Sequence, residues 1–180
     1  MMNNILLVLV ILGIIFMLLT FSLKLGNFVD IRDIIKKHLS FFKNNKLQFI
    51  SIYIVPIILS IYIGTIHTIN KELLDNLLII LSILISMFFA VLSILCSIDS
   101  KNKNDIYKQL LNETYTSTVF EIIICIFLLL ISFAALFMEK GFNELIDTIA
   151  SDIIYYLTFV LILNIFVIIK RIEAIFQARN

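Results

Sequence analysis

Uncharged or nearly uncharged runs recur five times along the chain, at about 5–23, 49–69, 77–98, 119–138 and 153–169. Segments that gather nearly all the charge separate them. A bilayer core of about 30 Å needs roughly 20 apolar residues in a helix, and each of the five runs meets or approaches that length, the last being the shortest. The third run, Leu77–Ile98, reads LLIILSILISMFFAVLSILCSI and carries no charge. At about 1.5 Å per residue it reaches roughly 33 Å. The pattern predicts an all-α, integral membrane helical bundle of five transmembrane helices in one domain, 1–180. A four-span arrangement, with the first or last run lying on the surface, is the alternative. The first run has neither a basic n-region nor a small-residue cleavage site, so a retained helix is expected there.

The polar segments have patterns of their own. From Asp30 to Lys43, DIRDIIKKHLSFFK puts Ile31, Ile34, Ile35, Leu39 and Phe42 on one helical face and most of its basic residues on the other, which predicts an amphipathic helix ended by Asn44 and Asn45. The stripe of Ile106, Leu110 and Leu111 with Tyr107 and Tyr115 predicts that the fourth helix starts near Asn104 and runs to Met138. Leu145, Ile146 and Ile149 start the fifth near Asn143. Pro56 is the only proline and should kink the second span. The short NKELLDN connection predicts that the second and third spans form an antiparallel hairpin.

Charge placement gives these helices a direction. The segments 24–48, 99–118 and 170–180 hold twelve basic residues, whereas the two intervening connections hold only Lys71 and Lys140. Basic loops stay on the cytoplasmic side. The expected topology therefore has an outside N-terminus, five crossings of the inner (plasma) membrane and a cytoplasmic C-terminus.

Composition narrows the function classes. The chain is 61% apolar and 15% charged, with a net charge of +1 and a mean hydropathy of +1.08, well outside the soluble average. Cys96 and Cys125 both fall in apolar runs and read as reduced thiols. HExxH, CxxC, a glycine-rich phosphate loop and a Ser/His/Asp set are all missing, and His38 and His67 fall on opposite sides of the expected membrane. The expectation is a protein that is not an enzyme and takes no metal or cofactor.

What remains is packing, permeation and recruitment. Ser82, Ser86, Ala90, Ser93 and Ser97 follow spacings of four, four, three and four, so they share one helix face. Such a stripe serves close helix packing or, in an oligomer with closed symmetry, a weakly polar pore lining. Glu121 lies just inside the fourth span, as an interfacial carboxylate reaching outward or meeting a lysine, or as one of a ring of acids at a pore mouth. Asn164 is the one amide deep in a span and needs a partner on a neighbouring helix or in a second copy. Arg32, Lys36, Lys37, Lys43 and Lys46 offer a basic face to anionic lipid, to a partner protein or to an anionic ligand such as a nucleotide. The expected partners are the bilayer and further copies of the chain, with nothing pointing to nucleic acid.

This layout of a first span, a basic amphipathic linker, a tight hairpin and a long fourth helix with a cytoplasmic stalk resembles small bacterial multi-span effectors of antiphage systems, such as the membrane components of the Hailong and Kiwa systems. The resemblance implies a homo-oligomer that opens or disrupts the membrane under control of a cytoplasmic partner or ligand. A non-conducting membrane anchor or sensor that recruits a soluble partner, and a holin-like phage protein, are the alternative readings.

Overall fold

The computed structural model of the chain describes residues 31–43, 45–98, 104–136 and 144–178. The run at 5–23 lies outside them, as do Met138 and Asn143. Among the described residues the secondary structure is helical, without strands: α1 (Ile31–Ser40), α2 (Lys46–Ile66), α3 (Lys71–Ser97), α4 (Asp105–Leu136) and α5 (Glu144–Gln177). Helices α2 to α5 are each long and apolar enough to cross a membrane, as in a multi-pass membrane protein. The described residues thus hold four such helices where five spans were expected.

Asparagines start three of the four long helices. Asn45, Asn70 and Asn104 each accept a backbone N–H three residues on, from Gln48 at 3.3 Å, Leu73 at 2.8 Å and Tyr107 at 2.8 Å. Each bond satisfies a donor that the first helical turn leaves free. Asn45 therefore opens α2 rather than closing α1, which already ends at Ser40 and continues as a turn through Lys43.

Proline has a different consequence from the simple kink expected of it. Pro56 has no N–H to give the Ile52 carbonyl, and its ring crowds that carbonyl. The helix widens before it into a π turn, Ile50–Ile54, closed by the Val55 N–H on the Ile50 carbonyl. Ile52 and Tyr53 of this turn are buried. A turn of this kind re-aims the side chains it carries.

The long helices pack in the order α3, α4, α5, α2, with α1 laid against α4. Although α2 and α3 are joined by four residues, α2 packs on α5 and α3 on α4. The hairpin expected of them is a chain connection without a packing seam. Helix α4 lies in the middle and buries residues on several sides. Helix α3 buries a single line, Leu74, Leu81, Phe88 and Leu95, one residue every seven. Helix α2 buries Ile52, Pro56, Ser60 and Gly64, one residue every four. Gly64 lets α2 approach α5 so closely that a Cβ there would collide with the Asp152 carboxylate. The close small-residue contact within the chain therefore belongs to α2 and α5.

Candidate functional site

The sequence marked α3 as the small-residue helix, and the structure turns that stripe outward. Ser82, Ser86, Ala90, Ser93 and Ser97 are all exposed. At about 100° per residue, they centre about 150° around the helix from the buried seam of Leu74, Leu81, Phe88 and Leu95. Ser82 and Ser86 each donate to the carbonyl four residues back, and Ser97 donates to that of Ile94, at 2.7–3.0 Å. Their hydroxyls are thus satisfied without a second helix, as an apolar environment requires.

Polar chemistry collects at the other side of the molecule, where the start of α4, the end of α5 and the π turn of α2 meet under α1. The amphipathic helix docks there by its apolar face. His38 is buried and stacks on Phe120 of α4, with ring centroids 4.0 Å apart. Phe42 stands edge-on both to His38 at 5.4 Å and to Tyr53 at 5.8 Å. The Lys37 ammonium ties the helix to Asn112 Oδ1 at 2.8 Å. Arg32, Lys36, Lys37, Lys43 and Lys46 are all exposed, so the basic face looks away from the bundle.

Beneath α1 lies a row of buried polar side chains from four helices. His38 Nε2 shares a hydrogen bond with Tyr53 Oη at 2.8 Å, and Asn164 Nδ2 of α5 donates to the same Oη at 3.4 Å. The Asn164 side chain lies against Glu121 of α4 without a hydrogen bond of good geometry. Glu121 is 0% exposed and neither of its oxygens has a partner. It does not reach outward within the chain, and neither ion pair among the described residues joins it to a lysine. Cys125, one turn further along, is buried beside it. Burial, with the Arg171 charge adding to it, holds the His38 imidazole far below its ordinary value, at about 3. Docked His38 is therefore neutral.

A second polar group flanks the first. One terminal nitrogen of Arg171, from α5, donates to Ser117 Oγ at 3.1 Å and lies 3.5 Å from a Glu113 carboxylate oxygen, both on α4. Its guanidinium also covers the Phe41 ring at 4.9 Å, beside α1. The buried run Thr114, Thr116, Ser117 and Thr118 supplies small side chains where α4 crosses its neighbours. At the opposite end of the bundle, Ser151 Oγ accepts the Ile69 N–H at 3.0 Å, and Tyr155 Oη donates to the His67 carbonyl at 3.2 Å. His67 itself is exposed there.

Sequence reasoning singled out Glu121 and Asn164 but not their neighbours. His38 read as one polar residue of an amphipathic helix, and Tyr53 as one of six tyrosines. The proline three residues after Tyr53 is the signal that could have marked it, because it sets the turn that carries this side chain inward. The chain matches no protein-family model, and comparison with curated proteins and with solved structures gave no match. The site stands on its geometry.

Proposed function

We propose that the protein is a homo-oligomeric, pore-forming or membrane-perturbing effector of the bacterial inner membrane, acting in antiphage defence, with the α1 end in the cytoplasm. The observation that carries the pore reading is the outward stripe of α3. An uncharged face of small residues, turned away from the seam that α3 makes with α4 among the described residues, lets α3 helices of adjacent copies approach closely. The same hydroxyls give a weakly polar wall once copies close into a ring. The defence assignment rests on the layout, which resembles that of antiphage membrane effectors. Purified protein in vesicles tests the pore: it should release a trapped ion, and Ser86→Leu with Ala90→Leu should stop that release while the protein still folds. Wild-type vesicles that stay tight at every protein density, with and without the growth-arrest trigger supplied by infected-cell extract, would refute it.

One observation favours a second reading, a membrane anchor or sensor. Arg32 and Lys36 on the docked α1, with Lys43 and Lys46 just after it, stay exposed, which presents a positive surface to a partner of opposite charge. Charge reversal at Lys36 and Lys43 separates the two readings. Lost partner recruitment with no change in conductance supports the anchor.

A further inference from the structure

Glu121 is isolated in a way that constrains its charge. It is fully buried, both carboxylate oxygens lack hydrogen-bond partners, and neither ion pair among the described residues includes it. The Arg171 guanidinium, which acts on the neighbouring His38 and Tyr53, is already engaged by Glu113, Ser117 and the Phe41 ring. An ionised carboxylate held there would carry the desolvation penalty of a buried charge with no counter-charge to offset it. A neutral carboxyl needs far less, one acceptor for its O–H.

The side chain packed beside it carries a buried acceptor. The Asn164 amide lies against Glu121 and gives one of its two Nδ2 hydrogens to Tyr53 Oη, while its Oδ1 is buried without a partner. A single proton on Glu121 would satisfy an orphaned carboxyl and an orphaned amide oxygen together.

We propose that Glu121 is a proton-binding site built into the bundle, holding one proton while α1 is docked, with α1 controlling exchange of that proton with water. The exchange is simple ionisation: the carboxyl O–H bond breaks, the electron pair stays on the carboxylate, and the proton leaves to water. Every titratable or charged group facing the site from the packed helices fits this assignment. His38 of α1 is neutral, Tyr53 of α2 and Tyr156 of α5 are neutral phenols, Cys125 of α4 is a buried thiol, and Arg171 of α5 is committed elsewhere. Tyr53 joins the amide that holds the carboxyl to the imidazole that α1 brings, so undocking α1 removes His38 and Phe42 from above the site. The proposal does not depend on pore formation, and its test reads the carboxyl directly.

Infrared difference spectroscopy of the full-length protein in phosphatidylcholine vesicles is that test, with Glu121→Gln to assign the band. The expected spectrum at neutral pH has a protonated carboxyl stretch that disappears in Glu121→Gln, is unchanged between sodium and choline salts, and shifts slowly in deuterated water. Phe42→Ala, which loosens α1, should make that shift at least tenfold faster. A carboxylate band assigned to Glu121 at neutral pH, or a band that depends on sodium, overturns the proposal. An unaltered exchange rate in Phe42→Ala overturns the control by α1. Glu121→Gln is expected to fold with nearly the wild-type thermal midpoint, because the amide is neutral and of similar shape. Its collapse would mean that a charge is required, and would also overturn the proposal.

Discussion

The imidazole of His38 lies parallel to the phenyl ring of Phe120, 4.0 Å between centroids and 13° between planes, so the one titratable group on the inner face of α1 stacks on the central helix of the bundle. That contact needs a neutral ring, since burial holds the folded value at about 3 while the undocked helix has the ordinary value of 6.5. The folded value lies below the undocked one, so docking is worth most above pH 6.5 and weakens steadily as pH falls from there towards 3. Amide hydrogen exchange of Ile31–Ser40 should therefore accelerate at pH 5 relative to pH 7.5, relative to the amides of α4. His38→Phe keeps the stack and should remove the pH dependence. Exchange equally fast at both values in the wild type would show that α1 docks without regard to the charge of His38.

Gly64 fixes how closely α2 meets α5. Any side chain there must displace the Asp152 carboxylate, whose Oδ1 is already buried without a partner. Gly64→Ala should lower stability by about 1–3 kcal/mol, the usual range for overpacking, and Gly64→Leu by more. Thermal unfolding followed by circular dichroism in detergent measures both. Asp152→Ala in the same chain should restore much of the loss from Gly64→Ala, because it removes the colliding atom.

The helical class, the amphipathic α1 and the start of α4 were legible because each rests on local information: periodicity, caps and charge-free length. The span arrangement was less so. A four-residue connection between α2 and α3 constrains where their ends lie but not which neighbour each one packs on, and that choice is made by side chains far apart in sequence, such as Gly64 with Asp152. The serine stripe was visible as a face, but the direction of that face depends on where the partner helix lies. The acid at Glu121 was visible as a charge near a boundary. Its burial comes from tertiary packing that brings Asn164 of α5 and Tyr53 of α2 beside it, an event with no local signature in the sequence around it.

Opposite faces of α3 should respond oppositely to substitution. Leu81 is 0% exposed on the seam with α4, and Leu81→Ala should cost about 2–5 kcal/mol through lost contacts and a residual cavity. Ser86 and Ala90 face outward, so Ser86→Leu and Ala90→Leu should stay within about 0.5 kcal/mol of the wild type. Analytical ultracentrifugation in density-matched detergent then separates fold from assembly: the two outward variants should shift from oligomer to monomer, and Leu81→Ala should lose thermal stability at any oligomeric state. Outward leucines that leave the sedimentation unchanged would place the contact between copies on another helix.

Arg171 joins three elements through one guanidinium, to Glu113 and Ser117 on α4 and to the Phe41 ring beside α1. The pair with Glu113 is mostly sheltered, with the two side chains only 15% and 20% exposed, so it is screened less than a surface ion pair. Arg171→Gln leaves Glu113 without its cation and should cost about 1–3 kcal/mol. Arg171→Lys should recover only part of that, because an ammonium is a point charge that cannot hold the carboxylate and the hydroxyl while lying flat on the ring. A double-mutant cycle with Glu113→Gln should give a coupling of about 0.5–3 kcal/mol. A coupling near zero would mean that Arg171 acts through Ser117 and the ring alone, and Ser117→Ala combined with Arg171→Gln would then show the interaction that the Glu113 cycle lacked.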